Sequence, residues 1–476
     1  MLFPTTDFAI FFLVAFTLMW SLNSRPVLWK IATLALSYFF YGWWDPRFVL
    51  LLVGETVIAH VGARLIARTE DAATRRWWMI GSVAALLGVL VYFKYVGFFA
   101  VNVDNVARSV GLGNLVPLIQ PTLPVAISFF TFMAISYVID VSHRDLEPAR
   151  PLDLAVYLAF FPHLVAGPIV RGSELLPQIR RKRDAAHLDY SRAFQLILRG
   201  MFKKVVLSSY IATAIVDPVF ISPKSHSALE VLFAIWGYAV QIYCDFSGYT
   251  DIAIGLALLL GVKFPVNFDA PYSAISLQDF WRRWHITLSR WLRDYLYIPL
   301  GGNRGSKAEV CRNIMITMIL GGLWHGANWT FLIWGALHGV GQVVGHLRRT
   351  KREQLGLPDP ASTSTWRHYV SVFLTFQFVC LAWTFFRATS VSNAFAMLDR
   401  LVTGWGVGSP LVTFWVVATV AAVLLVQQLP ARLGDRAVAQ ISNAHFAVQA
   451  GVGALVLLVI TTLGPTGVAP FIYYRF

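Results

Sequence analysis

The stretch 313–347 reads NIMITMILGGLWHGANWTFLIWGALHGVGQVVGHL and contains no Asp, Glu, Lys or Arg. Arg304, Lys307 and Arg312 precede it, and Arg348, Arg349, Lys351 and Arg352 follow it. Clusters of Lys and Arg mark cytoplasmic loops, so both ends belong on the same side of a bilayer. Two complete crossings need about 40 residues, and this run is shorter. It is therefore expected to dip to mid-membrane and return. The expected apex is Gly321-Gly322-Leu323-Trp324-His325-Gly326, because glycines allow a tight reversal. At 1.5 Å per helical residue, His325 lies about 18 Å beyond Asn313, near the middle of a bilayer.

The composition around this run agrees. The chain has 476 residues, 57% of them hydrophobic and 13% charged, with a mean hydropathy of +0.60. Soluble domains run at about 45–50% apolar and about 25% charged, so this chain has more apolar surface than a soluble core absorbs. Hydrophobic segments recur from end to end, which reads as one integral membrane domain over 1–476. Candidate crossings are 7–23, 27–43, 46–63, 77–99, 116–141, 205–220, 229–262, 368–386, 411–430 and 447–464. The fold class is an all-α polytopic membrane protein of about ten to twelve membrane helices plus re-entrant segments. Asp7 precedes the first apolar run and no Lys or Arg does, so that run does not read as a cleavable signal.

The formal charge of +14 sits in short loops at 64–76, 171–204, 263–312 and 346–367. That is a topology signal and does not ask for nucleic acid as a partner. With all four loops cytoplasmic, both termini fall outside. A second re-entrant segment is expected at 151–168, PLDLAVYLAFFPHLVAGP, where Pro162 interrupts an apolar run between basic flanks. Loop 353–365 is polar and proline-bearing, as a mobile connection would be. Cys244, Cys311 and Cys380 lie far apart with no metal or redox spacing, and read as packing residues.

Three places carry possible chemistry. His325 is an ionisable side chain at membrane depth, framed by glycines and beside Trp324; such residues are functional by default. A neutral imidazole can take a proton, as a general base must; the competing reading is a histidine bonded between helices. His338, on the returning leg, reads as structural. The stretch 276–298, SLQDFWRRWHITLSRWLRDYLYI, spaces Trp281, Trp284, Trp291 and Tyr295 near helical period and supplies Arg282, Arg283, Arg290 and Arg293. It reads as one amphipathic interfacial helix with i,i+4 pairs Asp279–Arg283 and Arg290–Asp294. The arginines suit the phosphates of a nucleotide-bearing acyl donor, and His285 lies on the same stretch. Finally, 241–251 (QIYCDFSGYTD) places Tyr243, Asp245 and Asp251 inside an apolar segment, as the wall of a polar cavity or as a bonded seam between helices. Two carboxylates at this spacing make no metal site. No Walker A, Rossmann, G-x-S-x-G or H-E-x-x-H pattern is present.

With these residues in view, the sequence resembles the membrane-bound O-acyltransferase family, and its bacterial alginate O-acetylation branch most. The resemblance is carried by LPVAISFFTFMAISYVIDV (123–141), FFPHLVAGPIVRGSELLPQI (160–179), QIYCDFSGYTDIAIG (241–255), NFDAPYSAISLQDFWRRWHITLSRWLRDYLYIPLGGNR (267–304), GGLWHGANWTFLIWGALHG (321–339) and PFIYYRF (470–476). It implies a ring of helices around a thin central funnel, with a family-typical core at about 120–350. It implies His325 as the catalytic histidine and His285 as the second polar position. It implies transfer of an acetyl group from a cytoplasmic thioester, acetyl-CoA, toward an exported polysaccharide such as alginate, finished by a periplasmic acetyltransferase partner. The cell inner membrane is the implied location. No bound cofactor or metal is implied.

On this reading the donor's phosphates approach Arg282, Arg283 and Arg290, with Trp281, Trp324, Tyr243 and Asp245 lining the donor's path. His325 takes the acceptor hydroxyl's proton, and His285 or Asn328 stabilises the oxyanion. Alternatives are D-alanyl transfer for teichoic acid, a transporter with His325 as proton relay, and a non-enzymatic scaffold.

Overall fold

The computed structural model describes residues 1, 3–112, 121–165, 167–357 and 364–463. The motif at 470–476, the start of the expected crossing 116–141 and residues 358–363 of loop 353–365 lie outside the described residues. Every regular element among the described residues is helical. They fall into two compact units: Met1–Ala193 with Ala253–Pro265, and Phe194–Ile252 with the chain from Val266 onward.

The first unit holds α1 (Thr6–Ser21), α2 (Pro26–Gly42), α3 (Arg47–Arg68), α4 (Ala72–Ser109), α5 (Ile127–Ser142), α6 (Pro151–Ala159), α7 (Phe161–Leu164) and α8 (Gly172–Arg180). Its core is aromatic at one end: Phe11 meets Phe161 edge-on at 5.2 Å and Phe40 at 5.7 Å. The interruption read at Pro162 is present. Helix α6 ends at Ala159, and Pro162 lies in the first turn of α7, where its missing N–H costs no helical bond. Several polar groups inside this unit are partnered across helices. Glu55 of α3 accepts from Thr131 of α5 at 2.8 Å, Lys94 of α4 donates to Ser128 at 3.1 Å, and Asp153 pairs with Lys30 at 2.5 Å and Arg180 at 3.2 Å.

The chain passes to the second unit within α9 (Tyr190–Met201). The same rod continues through a π-helical turn, Phe202–Ser208, then α10 (Ser209–Ile211), a second π-helical turn, Ala212–Val216, and α11 (Asp217–Ile221). It is one continuous apolar span of 32 residues. The basic segment 171–204, expected to be a loop, is therefore largely helical: α8 and α9 both lie in it. Its cations masked the helical period because several of them pair inward. After α12 (Ala228–Leu259) come α13 (Leu277–Arg283), α14 (Ile286–Leu292), α15 (Lys307–His325), α16 (Trp329–Gln354), α17 (Thr365–Arg387), α18 (Val391–Thr403), α19 (Phe414–Val426), α20 (Ala431–Asn443) and α21 (Phe446–Leu463).

Six described helices are long and apolar enough to cross a membrane, and α1, α5 and α19 are shorter apolar helices. The protein is an all-α polytopic membrane protein.

Helices α15 and α16 form the antiparallel hairpin read from 313–347. The reversal begins at Gly326, the last residue of the expected apex 321–326, and not earlier within it. Helix α15 runs unbroken through Gly321 and Gly322 to His325, and the chain turns at Gly326-Ala327-Asn328. Gly322 and Gly335 serve the close packing of the two helices: a Cβ on Gly322 would lie 2.3 Å from the Phe331 carbonyl oxygen, and one on Gly335 2.5 Å from that of Met318. The side chain of Asn328 caps α16 by accepting from the Thr330 N–H at 3.0 Å.

Candidate active site

The stretch 276–298 is broken and not one amphipathic helix. Helix α13 ends at Arg283, and His285 adopts the left-handed region at φ 42°, ψ 56° before α14 begins. A non-glycine residue there is uncommon and strained, and such strain persists only where surrounding bonds hold it. Asn267 supplies them. Its backbone oxygen accepts from the Ile286 N–H at 3.0 Å. Its Oδ1 accepts from the Thr287 N–H at 3.1 Å, the Thr287 hydroxyl at 2.9 Å and the His285 ring at 3.2 Å. Because the Thr287 N–H can only donate, the facing Asn267 atom is the oxygen. His285 therefore donates from Nδ1, which leaves Nε2 as the acceptor of the neutral ring.

The break turns the tryptophans inward. Trp281, Trp284 and Trp291 are buried, so they do not form the expected surface stripe. The pair Asp279–Arg283 forms at 2.9 Å, while Asp294 bonds Arg293 at 2.6 Å. Arg282 is exposed; Arg283 and Arg290 are half-buried.

His325 ends α15 at 4% exposure, and His285 and His338 are fully buried. Trp324 lies between the first two: its ring is 6.1 Å from that of His285 and 5.0 Å from that of His325. Trp334 and Phe386 complete the walls of His325 at 4.9 and 5.1 Å. Trp334 in turn faces His338 at 4.8 Å and stacks on Trp383 at 5.8 Å. The Trp281 indole donates to His338 Nδ1 at 3.3 Å. A chain of rings thus links the two expected histidines to His338. The box can orient a histidine and exclude water. It offers two imidazoles as proton acceptors and no set of ligands for a metal among the described residues.

Tyr243 and Asp245 fall in a seam between α9, its π-helical continuation and α12. Asp251 accepts two bonds from Arg199 at 2.9 and 2.7 Å and pairs with Lys203 at 2.5 Å. Lys204 pairs with Asp245, and Lys203 also donates to Ser247 at 2.8 Å and lies 5.5 Å over the Tyr243 ring. Gly200 and Gly248 let the backbones touch: a Cβ on Gly200 would lie 2.5 Å from the Gly248 oxygen. Cys244 and Cys380 are buried free thiols.

Sequence reasoning missed Asn267, Trp334 and the basic half of this seam. Only the i,i+4 spacing of Arg199 and Lys203 hinted at the last.

Buried imidazoles in an aromatic box at the tip of a helical hairpin are suited to proton transfer away from water. Residues 125–385 match the membrane-bound O-acyltransferase family. Over 407 residues the chain is 37% identical to the peptidoglycan O-acetyltransferase of Helicobacter pylori, covering 79% of this chain and 74% of that protein. It is 38% identical over 407 residues to the probable alginate O-acetylase AlgI of Pseudomonas aeruginosa, covering 84% and 75%. The teichoic acid D-alanyltransferase of Streptococcus thermophilus is 28% identical over 281 residues, covering 55% and 67%. The chain belongs to the membrane-bound O-acyltransferase family and is an O-acyltransferase.

Proposed function

We propose that this protein moves an acetyl group from cytoplasmic acetyl-CoA across the bacterial inner membrane for O-acetylation of an exported polysaccharide such as alginate, with His325 as general base. The observation that carries this reading is His325 at the tip of the α15–α16 hairpin, walled by Trp324, Trp334 and Phe386 with His285 across Trp324. A base so enclosed can take the proton of an acceptor hydroxyl and return it to the leaving thiolate. The stronger and longer likeness to O-acetylating relatives favours acetyl over D-alanyl.

Both termini lie on the periplasmic side, and the basic loops face the cytoplasm. The donor's phosphates approach Arg282, Arg283 and Arg290, with Trp281, Tyr243, Asp245 and Asn328 nearby in the donor and acceptor path. A periplasmic acetyltransferase receives the acetyl group and hands it to the polymer. Purified protein in liposomes with radiolabelled acetyl-CoA tests the reading. Cleavage of the thioester with transfer or hydrolysis supports it. Transport without bond cleavage would replace it with a carrier, and neither activity with a scaffold.

A further inference from the structure

Acyl transfer at His325 needs a hydrogen-bond donor for the oxygen of the thioester carbonyl, which becomes an oxyanion as the acceptor attacks. His285 is poorly suited: its ring N–H is at Nδ1 and turned to Asn267, so Nε2 accepts. The Asn328 side-chain oxygen caps α16, which orients its amide but leaves only the NH2 group to donate, at the hairpin turn and not among the rings. Two further donors lie among the rings of the box.

We propose that the indole N–H of Trp334, backed by the Nε2–H of His338, is the oxyanion hole of this acyltransferase; the assignment rests on the acyl-transfer reading above. Trp334 is 1% exposed, and among the described residues its Nε1 is buried with no hydrogen-bond acceptor. An indole nitrogen can only donate. The same fact settles His338. Trp281 donates to His338 Nδ1, so that atom is the acceptor and Nε2 carries the proton. The Nε2 of His338 is likewise buried with no partner. Two N–H donors thus sit on neighbouring rings 4.8 Å apart, both buried and neither with an acceptor. Buried donors are nearly always bonded, and an exception calls for a water, a ligand or a catalytic role. An arriving carbonyl oxygen is the kind of group both lack.

The placement relative to His325 fits. The Trp334 ring stands edge-on to His325, at 4.9 Å and 87°. The attacking and carbonyl oxygens share one carbon, each about 3 Å from its own partner, base or donor. Base and donor rings then stand a few ångströms apart, as these do. Trp334 is also held: it stacks on Trp383, meets Phe386 edge-on at 5.2 Å, and the adjoining Gly335 packs against the Met318 carbonyl. A donor fixed in advance in an apolar enclosure needs no reorganisation as charge develops.

The step balances. The acceptor hydroxyl gives its proton to His325, and its oxygen bonds the thioester carbon. The carbonyl pair moves to the oxygen facing Trp334 and His338. Collapse breaks the carbon–sulfur bond, and the departing thiolate takes the proton back from His325.

The test removes the N–H and keeps the ring. Trp334→Phe, and replacement of Trp334 by the isostere 3-benzothienylalanine, are compared in liposomes with radiolabelled acetyl-CoA, with His325→Gln alongside. The expected result is kcat lower by about 10²–10³-fold, KM for acetyl-CoA within about threefold, and unchanged thermal melting for the isostere. If Trp334→Phe fails to fold, the isostere decides. A folded isostere with near-normal kcat, or with only KM raised, overturns the assignment. If His325→Gln is inactive while the isostere works, only the oxyanion hole fails; if His325→Gln is also active, the assignment of His325 as the base fails with it; if the parent protein cleaves no thioester, the acyl-transfer reading itself fails.

Discussion

The second unit buries polar side chains in two ways. In the α9–α12 seam, carboxylates and cations meet directly: Arg199 and Lys203 on Asp251, and Lys204 on Asp245. In the histidine box, imidazoles and indoles meet aromatic faces and are held by single bonds, as His285 is by Asn267 and His338 by Trp281. Charges sunk in a low-dielectric interior are costly unless neutralised in place, so the seam's carboxylates are held as counter-charges. The neutral rings of the box cost far less to bury and keep the capacity to take or give a proton. Burial of an ionisable group alone therefore does not mark the site; the way it is partnered does.

Breaking the seam should cost stability most. Asp251→Asn leaves Lys203 without its counter-charge, and removing one partner of a buried pair destabilises by about 3–5 kcal/mol; the half-exposed Arg199 adds little to that. The expected outcome is a large fall in melting temperature and in monodisperse yield. An unchanged melting temperature would show the seam to be solvated.

A smaller steric effect should follow at the crossing. Gly248→Ala sets a Cβ 2.8 Å from the Gly200 oxygen, and overpacking of that kind costs about 1–3 kcal/mol. Thermal melting should fall, with kcat in the folded fraction changed less than by substitutions in the box, since the link from this helix to the box runs through Phe246, 4.7 Å from His285, and not through Gly248.

Asn267→Ala sharpens the contrast from the other side. It frees the strained His285 turn and leaves the buried Thr287 N–H without its acceptor, at about 1–3 kcal/mol. Here kcat should drop in step with the loss of stability, because a ring of the box loses its anchor. Lost stability with full kcat would place His285 outside the chemistry.

The smallest effect belongs to the exposed rim. Arg282→Ala with Arg283→Ala should raise KM for acetyl-CoA several-fold at low salt and less at high salt, where exposed charges are screened within about 8–10 Å. Unchanged donor kinetics would leave these arginines as interfacial residues only.

Much of this was legible in the sequence. The apolar runs located the helices because lipid demands long uncharged stretches, and the charge-free run between basic flanks revealed the α15–α16 hairpin with His325 at its tip. What was illegible depended on contacts distant in sequence. The glycine pair looked like a turn because sequence shows only local freedom, while Gly322 is required by the approach of Phe331. The helical period across 276–298 hid the break at His285, which depends on Asn267 some twenty residues earlier. The cations of 199–204 looked like a loop because their carboxylate partners lie on another helix. Trp334 carried no signal of its own among many apolar aromatics.

The central claim is that His325 moves a proton during transfer. His325→Gln keeps similar volume and some hydrogen bonding but supplies no useful base. Initial rates of radiolabelled acetyl transfer from acetyl-CoA should be measured for this variant and the parent protein in matched liposomes, with both samples verified as folded by thermal melting. The account predicts equal folding and a rate lower by about 10²-fold or more, the scale of a lost general base. Near-normal turnover in the folded variant would make His325 a structural residue and contradict the mechanism.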